Sequence, residues 1–243
     1  MNEPARLVLD TRTSTSPWVD SVWTCSSDAV TEMTSVACET WGLVFWEQDG
    51  VTRAAVSGPE TRAGTAPVPE GARFTGIQFA VGTTLREIPT TSLLDTGIAL
   101  PSCAGRRFAL PGGRWEIPGP DDAELLVARL VADGVVERDP VVADVVRGAH
   151  PDLTERTVER RFRRATGLTR NGVRQIGRAR TAAEALASGR GADDVVAEFG
   201  FYDEPHLARV LRRYVGRTAG ELRRGAGGAI ALDEFGDTQR TTS

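Results

Sequence analysis

The apolar positions of this chain change their spacing near residue 118. Before that point short apolar runs are separated by Gly, Pro, Ser and Thr. The runs at 6–9, 19–25, 43–46, 51–56 and 74–80 predict β-strands. Asp49-Gly50 predicts a two-residue hairpin turn, because such turns need positive φ angles that this pair tolerates. Many short strands with turn signals between them imply a barrel or a sandwich. The Pro118-Gly-Pro-Asp-Asp122 segment then breaks the pattern, and the spacing becomes helical at 123–132, 141–147, 154–165, 171–187, 193–199 and 204–214. The expected fold class is therefore α+β and multidomain. A β-rich N-terminal domain covers 1–118, an all-α domain covers 119–225, and a tail without usable periodicity, expected to be disordered, covers 226–243.

Two of the helices share one design. In the stretch from Asp194 to Arg223, a short apolar helix (Val195, Val196, Phe199) ends at Gly200, and a second begins near Glu204. Leu207, Val210, Leu211 and Tyr214 recur at i, i+3, i+4 and i+7, one buried stripe. His206, Arg209 and Arg213 occupy another face, with Arg212 beside them. This is the layout of a helix-turn-helix whose second helix suits a DNA major groove. The helix at 154 repeats it. Thr154 is placed to cap, Val158, Phe162 and Ala165 form the buried stripe, and Arg156, Arg160 and Arg163 form the opposite face, flanked by Glu159 and Arg164. Glycine ends both helices, at Gly167 and Gly216. The helix between the two motifs spans roughly 25 Å at 1.5 Å per residue. With the widths of the motifs added, the separation nears the ~34 Å between successive major grooves on one face of B-DNA.

Charge follows the same division. Residues 1–150 carry 12 arginines against 20 acidic residues, whereas residues 151–225 carry 16 against 10. A basic block joined to an acidic one fits a polyanion-binding module attached to another unit. Lysine is absent from the chain, which reads as codon usage and not as mechanism. No run approaches the roughly 20 apolar residues of a membrane span, and the N-terminus lacks a signal-peptide pattern, so a cytoplasmic protein is expected. Cys25, Cys38 and Cys103 are odd in number and widely spaced, against both a disulfide framework and a paired-cysteine metal site.

From about residue 121 to 224 the chain resembles the DNA-binding domain of AraC/XylS-type transcriptional regulators. The matching phrases are Glu159-Arg-Arg-Phe-Arg-Arg-Ala-Thr-Gly-Leu-Thr169, Arg178-Ala-Arg180 in the linker, Val195-Val-Ala-Glu-Phe-Gly-Phe201, and His206-Leu-Ala-Arg-Val-Leu-Arg-Arg-Tyr-Val-Gly216. The resemblance implies two helix-turn-helix motifs joined by a linker helix. The chain departs from the family pattern at Pro205-His206-Leu207, at Ala219, and at Gly177, which interrupts the linker helix. The connection after 141–147 is also unusually long. Residues 1–118 more loosely resemble the β-rich domain that precedes this module in some members, on Val56-Ser-Gly-Pro59 and Phe74-Thr-Gly-Ile-Gln-Phe79. In the wider family such domains are often cupin-like barrels that bind an effector or mediate dimerisation.

By motif position, Arg156, Glu159 and Arg160 are the base-contact candidates of the first motif, and Glu204, His206 and Arg209 those of the second. Arg163, Arg164, Arg212 and Arg213 are expected at phosphates. Trp18, Trp23, Trp41, Phe45, Trp46, Phe74, Phe79 and Trp115 are candidates for an effector pocket, against the simpler reading that they are core. The expected function is a sequence-specific, non-enzymatic transcriptional regulator. Its expected partners are double-stranded DNA, a small-molecule effector, a second copy of the chain and RNA polymerase, with no membrane, cofactor or metal. Three rivals are weighed against it. A metal-binding cupin enzyme lacks histidines in the first half, since His150 and His206 are the only two. A methyl-accepting repair protein lacks the zinc-binding thiolate cluster. An architectural DNA binder would show little sequence preference.

Overall fold

The computed structural model describes residues 9–27, 30–103 and 106–232. Its N-terminal part is built on strands β1 (Leu9–Thr13), β2 (Val19–Ser26), β3 (Glu32–Ser35), β4 (Gly42–Gln48), β5 (Val51–Ser57), β6 (Gly64–Pro67), β7 (Arg73–Phe79), β8 (Thr83–Leu85) and β9 (Gly97–Leu100). The three short strands β10 (Ser102–Cys103), β11 (Arg107–Leu110) and β12 (Gly113–Glu116) follow. Six strands form one antiparallel sheet in the order β1-β2-β7-β4-β5-β9, and β10-β11-β12 form a second. Among the described residues β1 and β9 remain edges, so the first sheet does not close into a barrel; the arrangement is sandwich-like. The strand expected at 6–9 has residues 6–8 outside the described residues, and β1 starts at Leu9. Asp49 and Gly50 take φ of 53° and 73° and join β4 to β5 as the expected two-residue turn.

Strand alternation decides what each sheet face holds. Val22, Leu43, Phe45, Val56, Ile77 and Phe79 point into the main core. There they meet Phe108, Leu110 and Trp115 of the smaller sheet, with Phe45 and Phe108 edge to face at 5.1 Å. Trp41 stacks on Phe79 at 3.8 Å, and its indole N–H donates to the Thr83 carbonyl at 2.8 Å. The first helix, α1 (Ala123–Ala132), buries Ala123, Leu126, Val127 and Leu130 in this same core. Strand β13 (Val136–Arg138) then pairs with β8.

The remaining helices are α2 (Pro140–Val146), α3 (Glu155–Thr166), α4 (Arg170–Ala187), α5 (Ala192–Phe199), α6 (Glu204–Tyr214) and α7 (Ala219–Arg224). They divide between two cores. Val142, Val145, Val158, Phe162, Ala165 and Val173 form one; Ile176, Ala183, Leu186, Val195, Leu207 and Leu211 lie in the other. Helix α4 belongs to both. Residues 226–232, where fraying is expected, instead lie along β3. Thr34 donates to Ala229, Ala231 donates to Thr34, and Leu232 is buried. The rest of the expected tail, 233–243, lies outside the described residues. No helix among the described residues is long and apolar enough to cross a membrane.

Candidate nucleic-acid interface

Each of α3 and α6 is started by a side-chain cap. Thr154 accepts a hydrogen bond from the Thr157 amide at 3.3 Å, and Asp203 accepts one from the His206 amide at 2.6 Å. Pro205 falls in the first turn of α6, where its missing N–H costs no helical bond. Helix α3 buries Val158, Phe162 and Ala165, and α6 buries Leu207, Val210, Leu211 and Tyr214, the two stripes expected from spacing. Helix α5 precedes α6 across a turn at left-handed Gly200. Helix α2 precedes α3 by the long connection, and Asp139, which caps α2, also accepts from Arg161 of α3 at 2.9 Å.

The candidate contact residues separate by what already holds them. Arg156, Arg160, Arg164, Arg209 and Arg212 are exposed on the outer faces of α3 and α6. Arg163 is exposed and paired with Glu159 at 3.3 Å, while Arg213 lies over the Tyr214 ring at 5.1 Å. The other Glu159 oxygen accepts from the Arg170 amide at 3.2 Å, so this carboxylate joins α3 to the start of α4. His206 is half-buried against Phe201, and its Nδ1 accepts from the Tyr202 amide at 3.2 Å. That bond occupies the Nδ1 lone pair, so Nε2 is the ring nitrogen left for another partner. Glu204 is exposed beside Asp193, whose hydrogen bond and like charge push the Glu204 carboxyl above its ordinary range.

Two linker arginines quoted in the family resemblance serve the framework. The Arg178 guanidinium sits 4.5 Å over the Phe201 ring and donates to the Gly200 carbonyl at 3.3 Å, fixing the turn of the second motif. Arg180 faces Glu39 of the β-rich part at 3.8 Å. Sequence reading also passes over Tyr202, which is 89% exposed immediately before the α6 cap. Its signal is a large aromatic within the turn phrase Gly-Phe-Tyr-Asp.

The aromatic candidates for an effector pocket fall into two groups. Trp41, Phe45, Phe79 and Trp115 are buried in the main core, and Trp18 packs against it. Trp23 and Phe74 line a cavity of about 260 Å³ on the opposite sheet face, and Trp46 stacks near Phe74 at 6.4 Å.

Residues 149–225 match a family model described as a helix-turn-helix domain. No curated protein matches the chain. The solved structure of ToxT from Vibrio cholerae is 6% identical, covers 91% of this chain and 100% of its own, and has a TM-score of 0.43. That likeness is too loose to bear on individual residues or chemistry. Two capped helices with buried stripes and arginine-bearing outer faces, within the matched segment, agree with the family model. Residues 149–225 are thus similar to a helix-turn-helix domain, in keeping with the AraC-type resemblance of their motifs.

Proposed function

We propose that the chain is a sequence-specific transcriptional regulator that places α3 and α6 in two adjacent major-groove segments, under control of a small molecule bound by the β-rich part. The observation that supports this reading is the shared helix α4, whose apolar side enters the cores of both motifs, while arginines on α3 and α6 are exposed. Arg156, Arg160, His206 and Arg209 are the proposed base contacts, with Glu159 and Glu204 beside them. Arg163, Arg164, Arg212 and Arg213 are the proposed phosphate contacts. No step of bond-making chemistry is assigned. The boundary between the two units is proposed after β13, because α1 shares the core of the sheets.

The test is a gel-shift series on the operator selected from genomic DNA. Arg209→Ala should cost about 1–3 kcal/mol at one operator position and relax specificity there, whereas Arg212→Ala should weaken binding to all sequences alike and lower the salt slope by about 1. Equal affinity for selected and random DNA would identify an architectural binder instead. A regulator prefers its site by roughly 10³ or more.

A further inference from the structure

The residue immediately before the cap of each of α3 and α6 is a large apolar side chain left in solvent. Tyr202 precedes the Asp203 cap of α6 and is 89% exposed, more than any other large apolar side chain among the described residues. Leu153 precedes the Thr154 cap of α3 and is 42% exposed. A residue at this position commonly folds back onto the fourth residue of its helix as a hydrophobic staple. Here those fourth residues, Val158 and Leu207, are 7% and 1% exposed, in cores that include neither Leu153 nor Tyr202. The backbones that carry the two side chains are nonetheless fixed. The Tyr202 amide donates to His206 Nδ1 at 3.2 Å, and the Phe201 amide before it donates to the Val196 carbonyl at 3.0 Å. The Leu153 amide donates to the Pro151 carbonyl at 2.8 Å.

We propose that Tyr202 and Leu153 are a matched pair of specificity-determining residues, each packing on the 5-methyl group of one thymine in the major groove; this rests on the reading of α3 and α6 as groove-entering helices. Three observations select that occupant. Position is the first: both side chains stand at the N-terminal ends of their helices, the ends that meet base edges in helix-turn-helix proteins. Charge is the second. Arg156 and Arg160 follow Leu153 on α3, Arg209 and Arg212 follow Tyr202 on α6, and all four are exposed. An apolar protein partner would have to bury those guanidinium groups at a cost, whereas the phosphates beside every base pair neutralise them. Duplication is the third. A single exposed aromatic is ordinary on a protein surface, but the same placement before both helices joined by α4 matches a site read in two segments. Thymine methyls are the apolar features of a major-groove edge otherwise made of donors and acceptors. A side chain already in solvent, on a backbone already fixed, meets such a methyl without leaving a core and with little ordering cost. The Tyr202 ring makes the contact, and its hydroxyl is not needed for it.

Deoxyuridine scanning tests the proposal, since replacing thymine by deoxyuridine removes the 5-methyl and leaves every donor and acceptor in place. The full chain is titrated on the operator selected from genomic DNA, with each thymine replaced in turn. Two replacements, roughly ten base pairs apart, should each weaken binding by about fourfold, the value of one buried methyl. Tyr202→Ala should bind the unmodified operator about fourfold more weakly and become indifferent to the replacement at one of the two positions. Leu153→Ala should do the same at the other position, and Tyr202→Phe should keep the parent profile. Each variant is compared with itself on thymine and deoxyuridine DNA, so a partly unfolded preparation still reports the ratio. A parent profile retained in either alanine variant would overturn the proposal and leave a protein partner as the occupant of that side chain. Weaker binding of Tyr202→Phe to all sequences alike would also overturn it, since the hydroxyl would then be meeting phosphate. The parent protein separates this inference from the reading beneath it. Selective binding with no methyl-sensitive position removes only the thymine contacts, whereas equal affinity for selected and random DNA removes the regulator and the contacts together.

Discussion

Gly177 stands in the middle of α4, where glycine costs about 1 kcal/mol relative to alanine. The cost has a local reason. A Cβ at this position would lie 3.3 Å from Glu39 Oε1, tighter than ordinary van der Waals contact. Glu39 reaches this spot from the loop between β3 and β4 to face Arg180 one turn further along the helix, and its side chain is only 16% exposed, so it has little room to withdraw. Gly177→Ala should therefore gain well under the full propensity term in the parent protein. In a Glu39→Ala background, where the carboxylate is gone, the same change should stabilise by about 1 kcal/mol. Chemical denaturation of the four proteins of this double-mutant cycle measures the difference, which should be a coupling of at least about 0.5 kcal/mol. Independent, additive effects would remove Glu39 as the reason for the glycine. The same contact separates Arg180 from the arginines on the outer faces of α3 and α6. Those have solvent in front of them, whereas Arg180 has a carboxylate, a thiol and a cavity.

At the scale of elements, α1 shows how a helix is assigned to its partner by one salt bridge and one stripe. Its buried side joins the sheet core, and Glu124 at its first turn accepts from Arg12 of β1 at 2.6 and 2.8 Å and from the Ser14 hydroxyl at 2.8 Å. The Arg12 hydrogen bonds hold the Glu124 carboxyl down, from its ordinary 4.5 to about 2. A depressed acid contributes stability that is present above its unfolded value and is lost as pH falls toward the folded one. Glu124→Gln should therefore lower the melting temperature most above pH 5, and the gap to the parent should narrow below pH 4.5 and close near pH 2. A gap independent of pH would show that the side chain acts through packing alone. Much of this level was legible beforehand. Strands β2, β4, β5 and β7 and helices α1 to α6 are long enough for their period to show. Strands β3, β6 and β8 to β13 are two to four residues long and have no period to read. Helix α7 has six residues, and only its Thr218–Glu221 capping box marks it in advance. Aromatic content alone could not divide core from cavity, but strand parity does. Trp23 follows Val22, Trp46 follows Phe45, and Phe74 is three residues before Ile77, which puts all three on the face away from the core. What α1 packs against was not legible, because an amphipathic stripe specifies that a face is buried and not the surface that buries it.

For the molecule as a whole, the β-rich part holds the C-terminal ends of both α3 and α6. Leu94 packs at Gly167, the left-handed glycine that ends α3, where a Cβ would come within 2.8 Å of the leucine. At the end of α6, Ala37 and Ala63 donate backbone hydrogen bonds of 2.8 Å to the carbonyls of Tyr214 and Arg213, and Gly216 fits between Ala63 and Thr34. Both grips are at C-terminal ends. Helix-turn-helix proteins meet bases with the N-terminal residues of the recognition helix, and those ends, with Arg156, Arg160 and Arg209, remain exposed. On the proposed reading this leaves the base-contacting ends free for DNA, and the spacing of the two motifs is set by α4, whose 18 residues run roughly 27 Å and enter both cores. A flexible tether would allow the heads to find half-sites at several separations, whereas a helix buried at both ends allows one. Inserting five base pairs between the two operator halves turns the second half about half a helical turn away, and should reduce affinity by roughly tenfold to a thousandfold as one head loses its base contacts. Inserting about ten pairs restores the facing but adds ~34 Å of separation. It should leave binding as weak as the five-pair insertion does. Recovery of affinity at ten pairs, read in the same titration, would mean that α4 does not hold the two motifs rigidly and that the heads read DNA independently.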